Sequence, residues 1–129
     1  MSQLSAATQE DLVLDVIGGY LKGLREGDKS ILSDVFLEDA KVMHLSFSDE
    51  KFAISGVPEL LELIDDLHKQ YDYVEEIHSE PIVAVSGPVA SVHVPFVVKL
   101  GSAEVKGTDV FALIKVADKW KIANKLYGM

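Results

Sequence analysis

The chain has 129 residues, 48% of them apolar, and this length and composition predict one folded domain over residues 1–129. Twenty-one acidic and twelve basic side chains give a net charge of −9. This balance disfavours binding to nucleic acids or anionic membranes, because phosphate affinity comes from Lys and Arg. With no cysteine, disulfides and thiolate chemistry are excluded. No signal peptide or membrane span is recognisable, so we expect a cytoplasmic location by default.

The first predicted helix carries a wide apolar stripe. Thr8 is expected to cap its N-terminus, with Asp11 at the third helical position, and Gly27 to end it. Asp28 is then expected to cap a second, short helix. Glycines inside the first helix weaken it, which indicates close packing against the sheet or a ligand. The stripe is formed by Leu12, Val13, Val16, Ile17, Tyr20, Leu21 and Leu24, and the internal glycines are Gly18, Gly19 and Gly23.

The middle of the chain predicts two short strands and a third helix. The strands are expected at residues 41–47 and 51–55, joined by a polar turn at residues 48–50. Pro58 lies in the first turn of the third helix, where a missing N–H costs nothing. The acidic side chains of this helix are interpreted as a solvated face. Its predicted buried stripe consists of Leu60, Leu61, Ile64, Leu67 and Tyr71.

The second half predicts antiparallel strands joined by tight turns. Three dipeptides, Gly87-Pro88, Gly101-Ser102 and Ala117-Asp118, are compatible with two-residue hairpin loops. Such loops also predict the pairing: Val83 opposite Val92, Val94 opposite Asp109, Phe111 opposite Asn124 and Leu113 opposite Ile122. The four predicted strands span residues 73–86, 89–100, 103–116 and 119–127.

Alternation along these strands assigns two faces to the sheet. The inner face packs on the helices and is apolar except for Asp109 and Asn124. A carboxylate buried there must be hydrogen-bonded, protonated or metal-bound. The outer face is predicted to hold His78, His93, Lys125 and Tyr127. No histidine spacing implies a metal site and no nucleotide-binding motif is present, so neither a metal site nor a cofactor is expected. It also holds Val97, Val110, Ala112 and Ile114, which predict a two-fold homodimer interface; the alternative is that these side chains are simply exposed.

The order of the predicted elements resembles that of the nuclear transport factor 2-like (cystatin-like) superfamily. The resemblance rests on residues 20–28, on Phe36-Leu37-Glu38-Asp39-Ala40 and on the closing Trp120-Lys121-Ile122-Ala123-Asn124-Lys125. This last segment is most similar to the putative lumazine-binding, SnoaL-like subgroup. The resemblance implies an α+β fold in which a cone-shaped, curved antiparallel sheet wraps around three helices of the N-terminal half.

A second likeness, to the ketosteroid isomerases of the same fold, concerns chemistry. Tyr20, ahead of a Gly-Asp turn, matches their oxyanion-hole tyrosine. Asp109 begins a strand similar to the one that carries their protonated aspartate, and His44 follows the stretch that leads to their aspartate base. The resemblance therefore implies catalytic roles for Tyr20, His44 and Asp109, with histidine replacing the usual base. The ligand is expected to contact Val94, Phe96, Phe111, Trp120 and Asn124.

These residues support a small-molecule pocket protein for an apolar or planar, carbonyl-bearing ligand. In an apolar pocket the pKa of Asp109 would rise, so that Asp109 and Tyr20 could both donate to a developing oxyanion. His44 could then move a proton, as in an isomerase, a dehydratase or a cyclase. The alternative is a non-catalytic dimeric binding or interaction module, in which Tyr20 and Asp109 only hydrogen-bond each other. A protein-transport role is a third option.

Overall fold

The computed structural model describes residues 8–45 and 51–129. The predicted turn at residues 48–50 and the end of the first predicted strand lie outside these ranges. The first strand also begins earlier than predicted, at Phe36. The helices are α1 (Gln9–Glu26), α2 (Lys29–Val35) and α3 (Val57–Gln70). The strands are β1 (Phe36–Leu45), β2 (Phe52–Gly56), β3 (Val74–His78), β4 (Ile82–Ser86), β5 (Val89–Leu100), β6 (Ala103–Val116) and β7 (Lys119–Gly128).

The helix boundaries follow the predicted capping residues. The Thr8 side chain accepts a hydrogen bond from the Asp11 N–H, and the Asp11 carboxylate accepts one from the Thr8 N–H. Gly27 ends α1 in the left-handed conformation, with φ of 64°. The Asp28 carboxylate then caps α2 by accepting from two backbone N–H groups. These side chains satisfy polar groups that a helix end leaves unpaired, which confirms the prediction.

Two of the three glycines inside α1 allow close contact with α2. A Cβ atom on Gly19 would lie 2.9 Å from Cγ1 of Val35, and one on Gly23 would lie 2.8 Å from Cγ of Leu32. A Cβ on Gly18 would meet no atom within 4 Å. The close packing predicted from these glycines therefore exists, but its partner is α2 and not the sheet or a ligand.

The strands form one curved, unclosed sheet in the order β2-β1-β7-β6-β5-β3, and β4 pairs with the other end of β5. β1 and β7 run parallel, and the other described pairs are antiparallel. The three predicted hairpins are confirmed. Their turns use positive φ angles at Gly87, Gly101 and the pair Ala117–Asp118, as two-residue loops require. Val94 lies opposite Asp109, as predicted.

The strand predicted over residues 73–86 is two strands, and the break between them changes the assignment of faces. In β4, Val83 pairs with Val92 as predicted, but in β3 His78 pairs with Phe96, one position off that register. A shift of one residue turns every side chain to the opposite face. Glu76 and His78 therefore point to the inner face, and the outward placement of His78 was wrong.

A bulge in β7 has the same effect, because it also turns the side chains beyond it to the opposite face of the sheet. Leu113 pairs with Ile122 as predicted, but Phe111 pairs with Lys125 because the register shifts by one residue. Asn124 pairs instead with Ala112 on the outer face, where its amide lies 3.5 Å from Sδ of Met43. The inward placement of Asn124 and the outward placement of Lys125 and Tyr127 were therefore wrong.

The helices cover the inner face and bury an apolar core against it. Trp120 donates its indole N–H to the side chain of Gln9 at 2.9 Å, which ties β7 to the start of α1. None of the helices in the described part of the chain is long and apolar enough to cross a membrane. The most deeply buried apolar side chains include Val13, Ile17, Leu32, Val92, Val94, Phe111, Leu113 and Ile122.

Candidate functional site

A cavity of about 270 Å³ lies between α3 and one end of the inner sheet face. Most of its wall is apolar. α3 contributes one side of the wall, and Phe96, Val98 and Leu100 of β5 contribute the other. Since an engineered 150 Å³ cavity holds benzene, a cavity of this size takes a molecule of about eleven non-hydrogen atoms. The residues from α3 are Leu60, Leu63, Ile64 and Leu67.

Polar side chains line one part of the cavity wall. They are Tyr20 from α1, Glu76 from β3, and Lys125 and Tyr127 from β7. Lys125 and Tyr127 face inward because of the β7 bulge, and Glu76 does so because of the break between β3 and β4. An apolar cavity with a few convergent polar groups is the usual form of a small-molecule site.

The polar wall continues behind the cavity as a chain of contacts. The Tyr20 hydroxyl donates to Oε1 of Glu76 at 2.8 Å. Nε2 of His78 lies 2.6 Å from Oε2 of Glu76 and 3.2 Å from Oδ2 of Asp109, so one N–H faces both carboxylates. Nζ of Lys125 lies 3.3 Å from Oδ1 of Asp109. We call Tyr20, Glu76, His78, Asp109 and Lys125 the polar cluster. Three of its members, Tyr20, Glu76 and Lys125, line the cavity.

The cluster displaces the pKa values of its members in different directions. Burial would raise the pKa of Glu76, but the hydrogen bond from His78 and the charges of Lys125 and His78 outweigh it and lower this pKa to about 2. Burial would lower the pKa of His78, but Asp109 and Glu76 outweigh it and raise this pKa to about 9. Burial raises the pKa of Asp109 to about 6 against the hydrogen bond from His78. Burial and the two carboxylates raise the pKa of Tyr20 well above its ordinary value.

The buried charges of the cluster balance at neutral pH. Glu76 and Asp109 are anionic, and His78 and Lys125 are cationic. Their side chains are 3%, 0%, 9% and 5% exposed, respectively. A balanced set is required here because an uncompensated buried charge is expensive.

The Lys125 ammonium has hydrogen-bond donors that no described residue uses. Its ammonium carries three N–H groups. The ion pair with Asp109 does not have hydrogen-bond geometry, since Oδ1 of Asp109 is a buried acceptor without a hydrogen bond. Nζ also lies 3.9 Å from the ring centroid of Tyr127, which is a cation–π contact. Residues 8–45 and 51–129 give Nζ no hydrogen-bond acceptor, so an oxygen atom in the cavity could take that place.

Glu76, His78 and Asp109 also have the donor set of a metal site. One ligand atom from each lies within 4.8 Å of the others. A cation held by all three would, however, lie close to the Lys125 ammonium, 3.3 Å from Asp109. The single N–H of His78 also already faces both carboxylates. We therefore interpret the three residues as part of an ion cluster.

The structure brings together two of the three residues that the sequence indicated as catalytic. Tyr20 and Asp109 belong to the same cluster, linked through Glu76 and His78. His44 lies apart from it on β1, with its ring stacked on Tyr127 at 5.0 Å between centroids. Within the described ranges its Nδ1 atom is buried without a hydrogen-bond partner.

Of the predicted ligand contacts, only Phe96 lines the cavity. Val94 and Phe111 are fully buried in the core, where Phe111 packs edge-on against Tyr20. Trp120 lines a different, open groove of about 330 Å³ at the other end of the fold. Asn124 faces outward. The bulge at the preceding residue explains this last difference, since it exchanges the faces of Asn124 and Lys125.

Sequence reasoning missed Glu76, His78 and Lys125. For the first two a signal was available, because Pro81 interrupts the long run read as one strand, and proline is rare inside a strand. Once the strand is divided there, the alternation of Val74, Glu76 and His78 must be assigned afresh. For Lys125 the chain offers no comparable signal around Ala123.

Three helices and a curved, unclosed sheet of seven strands give this chain an α+β fold like that of the nuclear transport factor 2-like proteins with a cystatin-like fold. The sequence profile of the family described as putative lumazine-binding matches residues 8–128. The chain therefore belongs to this family. No curated protein has a significantly similar sequence.

Solved structures confirm the fold. A nuclear transport factor 2-like protein of unknown function from Shewanella baltica is 22% identical, with 96% of both chains covered and a TM-score of 0.74. One with a cystatin-like fold from Novosphingobium aromaticivorans is 18% identical over 92% of this chain and 80% of its own, with a TM-score of 0.76. A putative dehydratase from Streptomyces avermitilis is 16% identical over 92% and 94%, with a TM-score of 0.72. At these identities the likeness concerns the fold alone.

Proposed function

We propose that this chain binds a small, mainly apolar molecule through an oxygen atom that accepts a hydrogen bond from Lys125. The observation that carries the proposal is the unused donor capacity of this ammonium at the wall of an otherwise apolar cavity. Apolar walls supply affinity, and one strong donor fixes the orientation. The family name adds lumazine, a planar heterocycle with carbonyl oxygens, as a probe of suitable chemistry.

Calorimetric titration tests this proposal with two probes, 4-ethylacetophenone and lumazine. For a ligand of about eleven non-hydrogen atoms we expect a Kd of roughly 0.1 mM. Val98→Trp should abolish binding because Val98 lines the cavity. Ile77→Trp is the matched control, since Ile77 is exposed on the outer face of the neighbouring strand. Equal affinities of wild type and Val98→Trp would contradict the proposal.

The role of the ammonium has its own test. Lys125→Met should weaken the binding of 4-ethylacetophenone by about tenfold, because a hydrogen bond to a charged group is lost. Lys106→Met, at an exposed position on the outer face of β6, should leave it unchanged. Circular dichroism at the titration temperature establishes that each variant is folded.

Proton transfer is the second candidate function, and one observation favours it. The pKa values of two neighbouring carboxyl groups move apart, down at Glu76 and up at Asp109. This is the pattern of acid–base pairs in enzymes. Glu76 lines the cavity and could take a proton from the carbon beside a carbonyl, while Lys125 stabilises the enolate oxygen. A carboxylate of lowered pKa is a weak base, so the expected rate is low.

Deuterium exchange into the acetyl group of 4-ethylacetophenone tests this second candidate directly. In heavy water the acetyl proton leaves to Glu76, the Glu76 carboxyl exchanges it for a deuteron from the solvent, and that deuteron returns to the same carbon, so heavy water is the sole co-reactant. Wild type should accelerate the exchange seen by NMR, and Glu76→Gln should remove the acceleration. If wild type binds the ketone but exchanges it no faster than buffer does, the chain is a binding protein without this activity.

Self-association through the outer sheet face is a further proposal, and the strand pairing supports it. Residues from successive strands align into one largely apolar row across the sheet. Ile54 and Ile82, at its two ends, are 59% and 70% exposed. Such a row fits a second copy of itself related by a two-fold axis. The row is Ile54, Met43, Leu126, Val110, His93 and Ile82.

A further inference from the structure

We propose that the polar cluster selects neutral oxygen-bearing ligands over carboxylates, and that Asp109 is the residue that determines this selectivity. The inference deepens the proposed function and rests on it, because it concerns the ligand held by Lys125. Its basis is the charge balance of the cluster together with the apolar character of the remaining wall.

The Lys125 ammonium is the obvious partner for an anion, but its charge is already matched. Asp109 lies 3.3 Å from Nζ and is fully buried, so it compensates Lys125 before any ligand enters. The second carboxylate, Glu76, also lines the cavity, and His78 compensates it. The rest of the wall offers an anion no further cation, because Lys125 is the only Lys or Arg among the described lining residues.

A neutral carbonyl group and a carboxylate therefore enter very different sites. The carbonyl oxygen accepts a hydrogen bond from Lys125 and leaves the total charge at zero. The carboxylate accepts the same bond but adds an uncompensated negative charge beside two buried carboxylates, which is costly at low dielectric. Its binding is then coupled to proton uptake, and Asp109 is the acceptor because burial raises its pKa towards neutrality.

Asp109 takes up that proton because none of the groups around it changes its charge in the same pH range. Tyr20 approaches from α1 and stays neutral, since its pKa is raised. Glu76 and His78 approach from β3 with pKa values displaced towards their charged forms. Lys125 and Tyr127 approach from β7 as a cation and a neutral ring. Asp109 is thus the one cluster member that changes charge near pH 6.

The test compares two probes of the same size, 4-ethylacetophenone and 4-ethylbenzoate, by calorimetry at pH 7.5. Wild type should bind the ketone about tenfold or more tightly than the carboxylate. Asp109→Asn keeps the shape but leaves one positive charge in excess, so the preference should reverse. Glu76→Gln removes the other carboxylate and should move the preference in the same direction, which covers the case that Asp109→Asn does not fold.

Glu75→Gln is the matched control for net charge. Glu75 precedes Glu76 on β3 but is partly exposed and pairs with Arg25 at 3.9 Å, so its replacement should leave the preference unchanged. Titrations in two buffers of different ionisation enthalpy count protons. We expect about one proton taken up with the carboxylate and none with the ketone.

Each result decides the matter. Equal or tighter binding of the carboxylate to wild type would overturn the selectivity while the proposed function stands. So would an unchanged preference in a folded Asp109→Asn variant or, if that variant does not fold, in Glu76→Gln. If wild type binds neither probe nor lumazine, the proposed function fails and the selectivity fails with it.

Discussion

The inner face of the sheet has two ends that differ in register and in chemistry. At one end β4, β5 and β6 pair as their turns dictate, and the side chains that face inward, such as Val92 and Leu113, are buried and apolar. At the other end β3 is shifted by one residue and β7 has a bulge. Here charged side chains face inward and a cavity opens.

The comparison indicates how the fold accommodates a polar site in an apolar interior. Regular alternation would place Glu76, His78 and Lys125 in solvent, where each is easily tolerated. The register shift of β3 and the bulge in β7 turn these side chains to the inner face, on which Asp109 also lies. Bulges are frequent beside functional sites because they re-aim a side chain without changing the fold. The polar cluster thus results from the shifted register of β3 and the bulge in β7, and substitutions there should act differently from those at the regular end.

The largest expected effect is the loss of one charge from the polar cluster. Asp109→Ala leaves Lys125 unpaired in the interior and should lower the free energy of unfolding by about 3–5 kcal/mol in urea titrations. Phe111→Ala, on the same strand but in the apolar core, should cost a similar amount, about 3–5 kcal/mol, through its cavity.

A double substitution tests whether the two buried charges at Asp109 and Lys125 are coupled. Asp109→Asn combined with Lys125→Met restores the charge balance and should recover most of the stability, because an ion pair contributes little net stability against an apolar replacement. If this double variant loses as much as the two single variants together, the charges are not coupled and our description of the cluster is wrong.

The cluster should also make stability depend on pH. The pKa of His78 is raised from 6.5 to about 9, so the folded state binds the proton more tightly. Its contribution is complete below pH 6.5 and is lost as pH rises towards 9. The free energy of unfolding should fall over this window by roughly 3 kcal/mol.

His78→Gln should flatten this pH profile in urea titrations. Glu75→Gln, which removes a partly exposed carboxylate that pairs with Arg25, should leave the profile as in wild type. A wild-type stability that stays constant between pH 6.5 and 9 would show that His78 is not held as a cation by the two carboxylates.

Gly107 tests the geometry of the irregular end without charge. A Cβ there would lie 2.5 Å from Cζ of Phe96 and would overlap the carbonyl oxygen of Gly128. Gly107→Ala should therefore cost about 1–3 kcal/mol in urea titrations. Gly18→Ala, where a Cβ meets no atom within 4 Å, should instead stabilise α1 by roughly 0.5–1 kcal/mol. A neutral Gly107→Ala would mean that β6 and β7 are not as close as described.

The smallest effect on stability is expected on the outer face. Ile54→Lys and Val110→Lys interrupt the apolar row but leave the inner face unchanged. Each should convert a dimer into a monomer in sedimentation velocity experiments, with the free energy of unfolding of the monomer altered by less than about 0.5 kcal/mol. A monomeric wild type at micromolar concentration would refute the proposed dimer.

Much of the fold could be predicted from local signals, because those signals act within a few residues. Thr8, Asp28 and Gly27 set helix ends, and the turns at Gly87 and Gly101 set hairpin register. The pairing of Val94 with Asp109 followed from these turns. The site could not be predicted in the same way, since a single-residue slip reverses every assignment beyond it. Pro81 marked the register shift of β3, but no residue marked the bulge in β7.

The central claim is that the ligand lies at the irregular end of the sheet with its oxygen at Lys125. The most direct test is an NMR measurement of intermolecular NOEs between 4-ethylacetophenone and the protein. We predict NOEs from the acetyl methyl group to the side chains of Lys125 and Tyr127, and from the ethyl group to Leu67. NOEs to Trp120, in the groove at the regular end, with none to Lys125 would contradict the account.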